Sequence, residues 1–160
     1  MLSTNRCIIE IPNDNNGFFV QSFEFQRGAP QFELGSSGVV IGANTVENPT
    51  VLFLDAAGTV TNEVLLVPSE TIAVQGVLLA GELQVDDLAI DEYGNVLVLS
   101  EIFTSPSGPQ SIVQRVLANG QVDVGFGSLG VDVTRGGDIA FDSEGRLIVA
   151  GTDLFRLFIA

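Results

Sequence analysis

One hairpin, written twice, governs what this chain can become. Residues 138–151, DIAFDSEGRLIVAG, repeat residues 87–100, DLAIDEYGNVLVLS, at an offset of 51 (138 − 87). Asp, Ala, Asp and Gly recur identically at that offset, while Leu88/Ile139, Ile90/Phe141, Val96/Leu147 and Leu97/Ile148 exchange one apolar side chain for another. A repeat of this length whose halves read as strands implies stacked β units, as in propellers and related arrays.

The turn inside each copy is Asp-x-x-Gly, opened by Asp91 or Asp142 and closed by Gly94 or Gly145. This pattern predicts a type I turn followed by a left-handed residue. The Asp carboxylate accepts local backbone N–H groups, and glycine takes φ > 0 at no steric cost. Beyond the turn, Val96-Leu97-Val98-Leu99 and Leu147-Ile148-Val149-Ala150 are apolar at successive positions. A strand apolar on both faces is covered on both, as an inner strand between neighbouring sheets is.

Similar punctuation orders the remaining chain. Asp14 and Gly17 separate apolar runs at 7–11 and 18–25, a diverged third hairpin at an offset of 77 (94 − 17), so the first unit carries extra chain. That extra chain holds a hairpin at 32–41 around Gly35-Ser36-Ser37-Gly38 and another at 51–67 around Asp55-Ala56-Ala57-Gly58. The later counterpart of the second hairpin is 112–124, in which residues 121–124 are expected to be the fourth strand of a regular unit. Residues 68–82 predict a connecting strand or strand pair bent at Gly76, because β-branched residues and two glycines disfavour a helix. Residues 104–109 read as a loop, and the glycine-rich 125–137 as the crossing to the next unit.

The expected fold class is therefore all-β: a propeller-like array of about three four-stranded antiparallel blade units, either incomplete or completed by oligomerisation. It forms a single domain of 160 residues, divided into an enlarged unit (1–80), a regular unit (81–134) and a truncated unit (135–160). The truncated unit has room for three strands, and residues 2–11 are the candidate to supply its fourth.

The segment DIAFDSEGRLIVAG, with LANGQVDVGFG at 117–127 between the two copies of the hairpin, resembles the delta-60 repeat, a β-propeller-type unit. The similarity covers residues 86–160 and rests on two spaced motifs. It implies a propeller-like scaffold of the kind found in large bacterial surface or secreted proteins, and it assigns no catalytic residues.

Missing residue types exclude whole classes of chemistry. There is no histidine, and the six cations are all arginine. Ser-His-Asp and Cys-His catalysis, His-containing zinc sites, P-loop phosphate binding and Schiff-base chemistry are thereby removed. A net charge of −14 argues against nucleic acid as a partner. Mean hydropathy of +0.40 excludes disorder, yet no run reaches the length of a membrane helix, and residues 1–20 lack the form of a signal peptide. The lone Cys7 reads as a small buried residue beside Ile8 and Ile9.

What remains is carboxylate chemistry. Glu82, Asp86, Asp87, Asp91 and Glu92 form the densest acidic stretch, followed by Asp123, Asp132, Asp138 and Asp142. A Ca²⁺ reading places the repeat-equivalent Asp87 and Asp138 at one end of the array as oxygen ligands. The ordinary reading has them cap strand ends while Asp91 and Asp142 start turns, and it is preferred because no D-x-D-x-D loop is present. Eleven Phe with one Tyr and no Trp is a core-like aromatic set, with Tyr93 expected in solvent at a turn tip. No resident cofactor is expected.

These readings point to a non-catalytic structural or interaction protein that self-associates or builds into a larger extracellular or virion assembly. Phe155, Leu157, Phe158 and Ile159 are the expected interface, on an open terminal strand. The competing classes are a ligand- or Ca²⁺-binding propeller module, using loops 104–109 and 125–137, and a carboxylate-dependent hydrolase.

Overall fold

The computed structural model describes residues 5–12, 18–25, 30–36, 38–44, 49–66, 73–74, 77–78, 83–104, 108–126, 128–131, 137–151 and 154–157, with side chains for 30–36, 38–44, 49–66, 83–101, 111–126 and 137–151. Every regular element among them is a β-strand, and every pairing is antiparallel. The chain begins with a hairpin of β1 (Asn5–Pro12) and β2 (Phe18–Phe25). A four-stranded meander follows: β3 (Gln31–Gly35), β4 (Gly38–Asn44), β5 (Pro49–Asp55) and β6 (Val60–Leu65). The small pair β7 (Ala73–Val74) and β8 (Val77–Leu78) occupies the connecting segment, as the residue pattern predicted. A second meander comprises β9 (Leu83–Ile90), β10 (Val96–Thr104), β11 (Gly108–Val116) and β12 (Ser128–Val131). The third has three strands, β13 (Asp138–Phe141), β14 (Leu147–Ala150) and β15 (Leu154–Leu157).

The repeated turn forms as its chemistry requires. Asp55, Asp91 and Asp142 each accept the backbone N–H groups two and four residues on through Oδ1, at 2.8–3.0 Å. Each main-chain carbonyl also accepts the N–H of the glycine three residues on. Gly58, Gly94 and Gly145 take φ of 76°, 83° and 73°, where a side chain would be strained.

The meanders stack in chain order, with β9 set against β3 and β4 on one side and β13 on the other. Each sheet thus has a rear face, towards its predecessor, and a forward face, towards its successor. Alternation along β10 divides its apolar run between them. Val96 and Val98 join Leu83, Val85, Leu88, Ile112 and Val116 in a rear core with Val40, Val51, Val64 and Leu66. Leu97 and Leu99, with Ala89 and Val113, form a forward core with Ile139, Leu147 and Val149. All four β10 residues are at most 1% exposed, so the both-faces-covered reading of VLVL holds. At about 25 cal/mol per Å² of apolar surface removed from water, these two interfaces dominate the cohesion of the stack.

Two expectations about strands are corrected. Residues 121–124 are not the fourth strand of the second sheet: Val122 makes only an isolated bridge to Val116, and the fourth strand lies later, at β12, inside the segment read as a crossing. The reason is a turn pinned by charge. Asp123 accepts the N–H groups of Gly125 and Phe126, and its second carboxylate oxygen binds Arg115 Nε at 2.8 Å and Nη2 at 2.6 Å. The Arg115 guanidinium also lies over the Phe126 ring, 4.6 Å from its centre. The chain is thereby diverted outward for a few residues before rejoining β11 at Ser128. Secondly, β1 does not complete the third sheet; among the described residues it pairs with β2 alone.

Candidate interaction surface

Register relates the three sheets residue by residue. The forward-facing pairs Gly42–Val51 and Leu99–Val113 occupy corresponding places in the first and second sheets. It follows that Val40 corresponds to Leu97, Ile41 to Val98, and Phe32, opposite Ile41, to Leu88, opposite Val98. The 51-residue offset then carries Leu88 to Ile139 in the third sheet. These three are the rear-facing residues of the first strands. Leu88 and Ile139 are 0% and 5% exposed beneath the preceding sheet, whereas Phe32 is 67% exposed. Leu34, opposite Val39 on the same face, is 78% exposed. The rear cluster of Val39, Ile41, Leu52 and Leu54 beside them is buried.

The forward face shows the reciprocal difference at the far end of the stack. In the second sheet Ala89, Leu97 and Leu99 are buried under the third. Their repeat equivalents Ala140, Ile148 and Ala150 lie on the outer face of the third sheet, Ala140 exposed and the other two half-buried. The same apolar forward pattern thus occurs twice, buried in the second sheet and only partly buried in the third.

Polar groups pin the covered joints. Asp87 Oδ2 accepts the N–H of Ile139 at 2.7 Å, tying β9 to β13, and Asn44 Oδ1 accepts the N–H of Val85 at 2.9 Å, tying β4 to β9. Burial raises the Asp87 carboxyl above its ordinary range, opposed by the Ile139 and Leu88 N–H groups, while the nearby Asp138 adds to the rise. Asp87 thus sits inside β9 rather than capping a strand end; Asp138 is exposed at the start of β13. Among the described residues no group of three acidic or cysteine side chains is placed to hold a metal ion.

Beside this joint lies a carboxyl pair that sequence reading did not single out. β9 bulges against Leu99 and Ser100, leaving Asp86 as the extra residue. The bulge brings Asp86 near Glu101, whose side of β10 is the forward one. Asp86 Oδ2 and Glu101 Oε1 are buried with no hydrogen-bond partner among the described residues. Burial first, then the Glu101 and Asp87 charges, push the Asp86 carboxyl up to about 7. Dense acids marked this stretch in the sequence, but only the bulge and the β9–β10 register bring positions 86 and 101 together.

The predicted interface residues divide. Phe155 and Leu157 lie on β15, opposite Val149 and Leu147, the two β14 residues buried against the second sheet. Phe158 and Ile159 fall outside the described residues. Of loops 104–109 and 125–137, residues 105–107, 127 and 132–136 lie outside them as well, while the remainder belongs to strand ends, β12, the Asp123 turn and the approach to β13. A cleft of about 570 Å³ opens at the opposite end of the stack, lined by the turns at Gly35, Gly94 and Asn119 and by Asn62 and Tyr93. Tyr93, 77% exposed, sits at its turn tip as expected. The Glu92 carboxylate, by hydrogen bond and charge, raises its phenol above the usual range.

No family model and no curated protein matches this sequence. Among solved structures, a protein of unknown function from Bacteroides caccae superposes with a TM-score of 0.52 at 15% identity, over 91% of this chain and 48% of that one. The likeness is one of fold, and this chain spans about half the length of that neighbour.

Proposed function

We propose that this chain is a non-catalytic structural and interaction element, a propeller-like stack of blades that associates with further copies or builds into a larger extracellular or virion assembly. The observation that carries this reading is the edge of the third sheet. β15 pairs with β14 on one side and with no other strand among the described residues. An unpaired ladder of N–H and C=O groups is a template for another strand, and natural proteins that do not use such an edge blunt or cover it. The residue set supports the same reading, since without His or Lys the common nucleophilic machineries have no members. Sedimentation velocity from micromolar to millimolar chain tests it. The expected result is a species heavier than the 16.9 kDa monomer; a single monomeric boundary throughout would overturn the proposal.

A second reading, a ligand-binding module, is favoured by the cleft between the first and second sheets. Tyr93 is the sole tyrosine in a chain without tryptophan and lines that cleft, so its fluorescence reports on occupancy. Ligand candidates that leave Tyr93 emission and melting temperature unchanged would remove this reading.

A further inference from the structure

We infer that Asp86 and Glu101 hold a single proton between them, and that losing it loosens the joint between the second and third sheets. That joint lies within one chain, so its behaviour is independent of self-association. The bulge opposite Leu99 and Ser100 inserts Asp86 directly before Asp87, whose Oδ2 accepts the Ile139 N–H across the joint. By alternation along β10, Glu101 shares the forward side with Leu97 and Leu99, the residues packed against the third sheet. Glu101 is 7% exposed, and its Oε1, like Asp86 Oδ2, is buried without a hydrogen-bond partner among the described residues. A buried carboxylate without donors is costly, and two neighbouring ones do not both ionise at ordinary pH.

The groups around the pair add to that cost. On β9 the next residue is Asp87, on β13 Asp138 lies near Asp87, and on β11 the residue opposite Glu101 is the uncharged Ser111. β14 contributes only apolar side chains. Both arginines with described side chains are engaged elsewhere, Arg115 by Asp123 and Arg146 by Asp142 and Glu144. Since no group of three acids among the described residues is placed for a metal ion, a proton is the counter-charge that fits. Opening the joint carries Asp138 away and lets water reach Asp86 and Glu101. The open form then ionises in the ordinary range, near 3.8, while burial and the Glu101 and Asp87 charges hold the Asp86 carboxyl of the closed form up to about 7. Below about pH 4 both forms keep the proton and the joint is tightest. Between those two values each further pH unit favours opening by up to about tenfold, and above them the effect levels off.

Native-state hydrogen exchange on the full chain, corrected for the intrinsic amide rate, tests the switch. At every pH β13 and β14 are expected to open more often than β4 and β5, and their opening to grow from about pH 4 to about pH 7 before levelling off. Asp86→Asn should abolish that growth. Glu101→Gln should keep it but bring the plateau to lower pH, because the like charge is gone. Carbon-13 titration of the Asp86 carboxyl by NMR reads the same displacement without any opening. Opening of β13 and β14 that is independent of pH, or that still grows in Asp86→Asn, would overturn the switch. Opening that never exceeds that of β4 and β5 would overturn it too, because the proton would then be lost only on global unfolding. An Asp86 titration unmoved by Glu101→Gln would overturn the shared proton. Should either variant misfold, the unsubstituted chain decides: an Asp86 carboxyl titrating near 7 supports the pair, and one titrating in the ordinary range overturns it.

Discussion

Asp86 is the residue on which burial and charge act most strongly. Its carboxyl titrates near 7 in the folded chain, against the ordinary 3.8 of an unfolded one. Below about pH 4 both states hold the proton and the residue costs nothing. As pH rises towards 7 the unfolded state ionises freely and the folded state does not, so stability is lost across that window. The Asp86→Asn variant lacks this titration. It should melt close to the wild type at pH 4 and several degrees above it at pH 8, in paired calorimetric scans. Asp123 and Asp142 act with the opposite sign. Both carboxyls are held below their usual range, Asp123 chiefly by Arg115 and Asp142 chiefly by the Arg146 N–H, so the wild type and Asp86→Asn should share that loss on acidification. Gly42 shows a different constraint at the same scale. A Cβ there would stand 2.8 Å from Val85 Cγ1 and 3.1 Å from Leu88 Cδ2. Gly42→Val is expected to destabilise the chain by about 1–3 kcal/mol in denaturant unfolding, the range for overfilling a packed interior.

At the scale of elements, the hairpins were legible because their signals are local. Asp-x-x-Gly specifies its own turn through three hydrogen bonds, and VLVL on β10 announces a sheet on each side. The fourth strand of the second sheet was not legible. Its position depends on Arg115 reaching Asp123 across a ladder, and spacing along the chain carries no trace of that ion pair. The Asp86–Glu101 pair escaped for a related reason, since a bulge shifts which residues share a face. The joint between β9 and β13 supplies a prediction of its own. Asp87→Ala leaves the Ile139 N–H without its acceptor, at a cost of about 1–3 kcal/mol. Hydrogen exchange should then quicken in β13 and β14, while amides of β4 and β5 keep their protection. Uniform quickening over all three sheets would mean that the staple is not local to this joint.

For the whole molecule, the most informative mismatch lies between β10 and β14. Both carry unbroken apolar runs, yet only β10 has a described sheet on each side, while Ile148 and Ala150 face outward from the end of the stack. Sequence reading located the opening at the edge strand and its phenylalanines. On the face of that sheet the structure adds a partly open apolar patch of Ala140, Ile148 and Ala150. The 51-residue repeat led to an expectation of stacked β units, and the antiparallel meanders pack with β9 between β3 and β13. Whether the edge of β15, unpaired among the described residues, is used in assembly is asked most directly by light scattering on the full chain and on a chain lacking residues 153–160. A species heavier than the monomer that is lost on that removal is the expected result. A monomer in both cases, or an assembly that the removal leaves unchanged, would contradict the account.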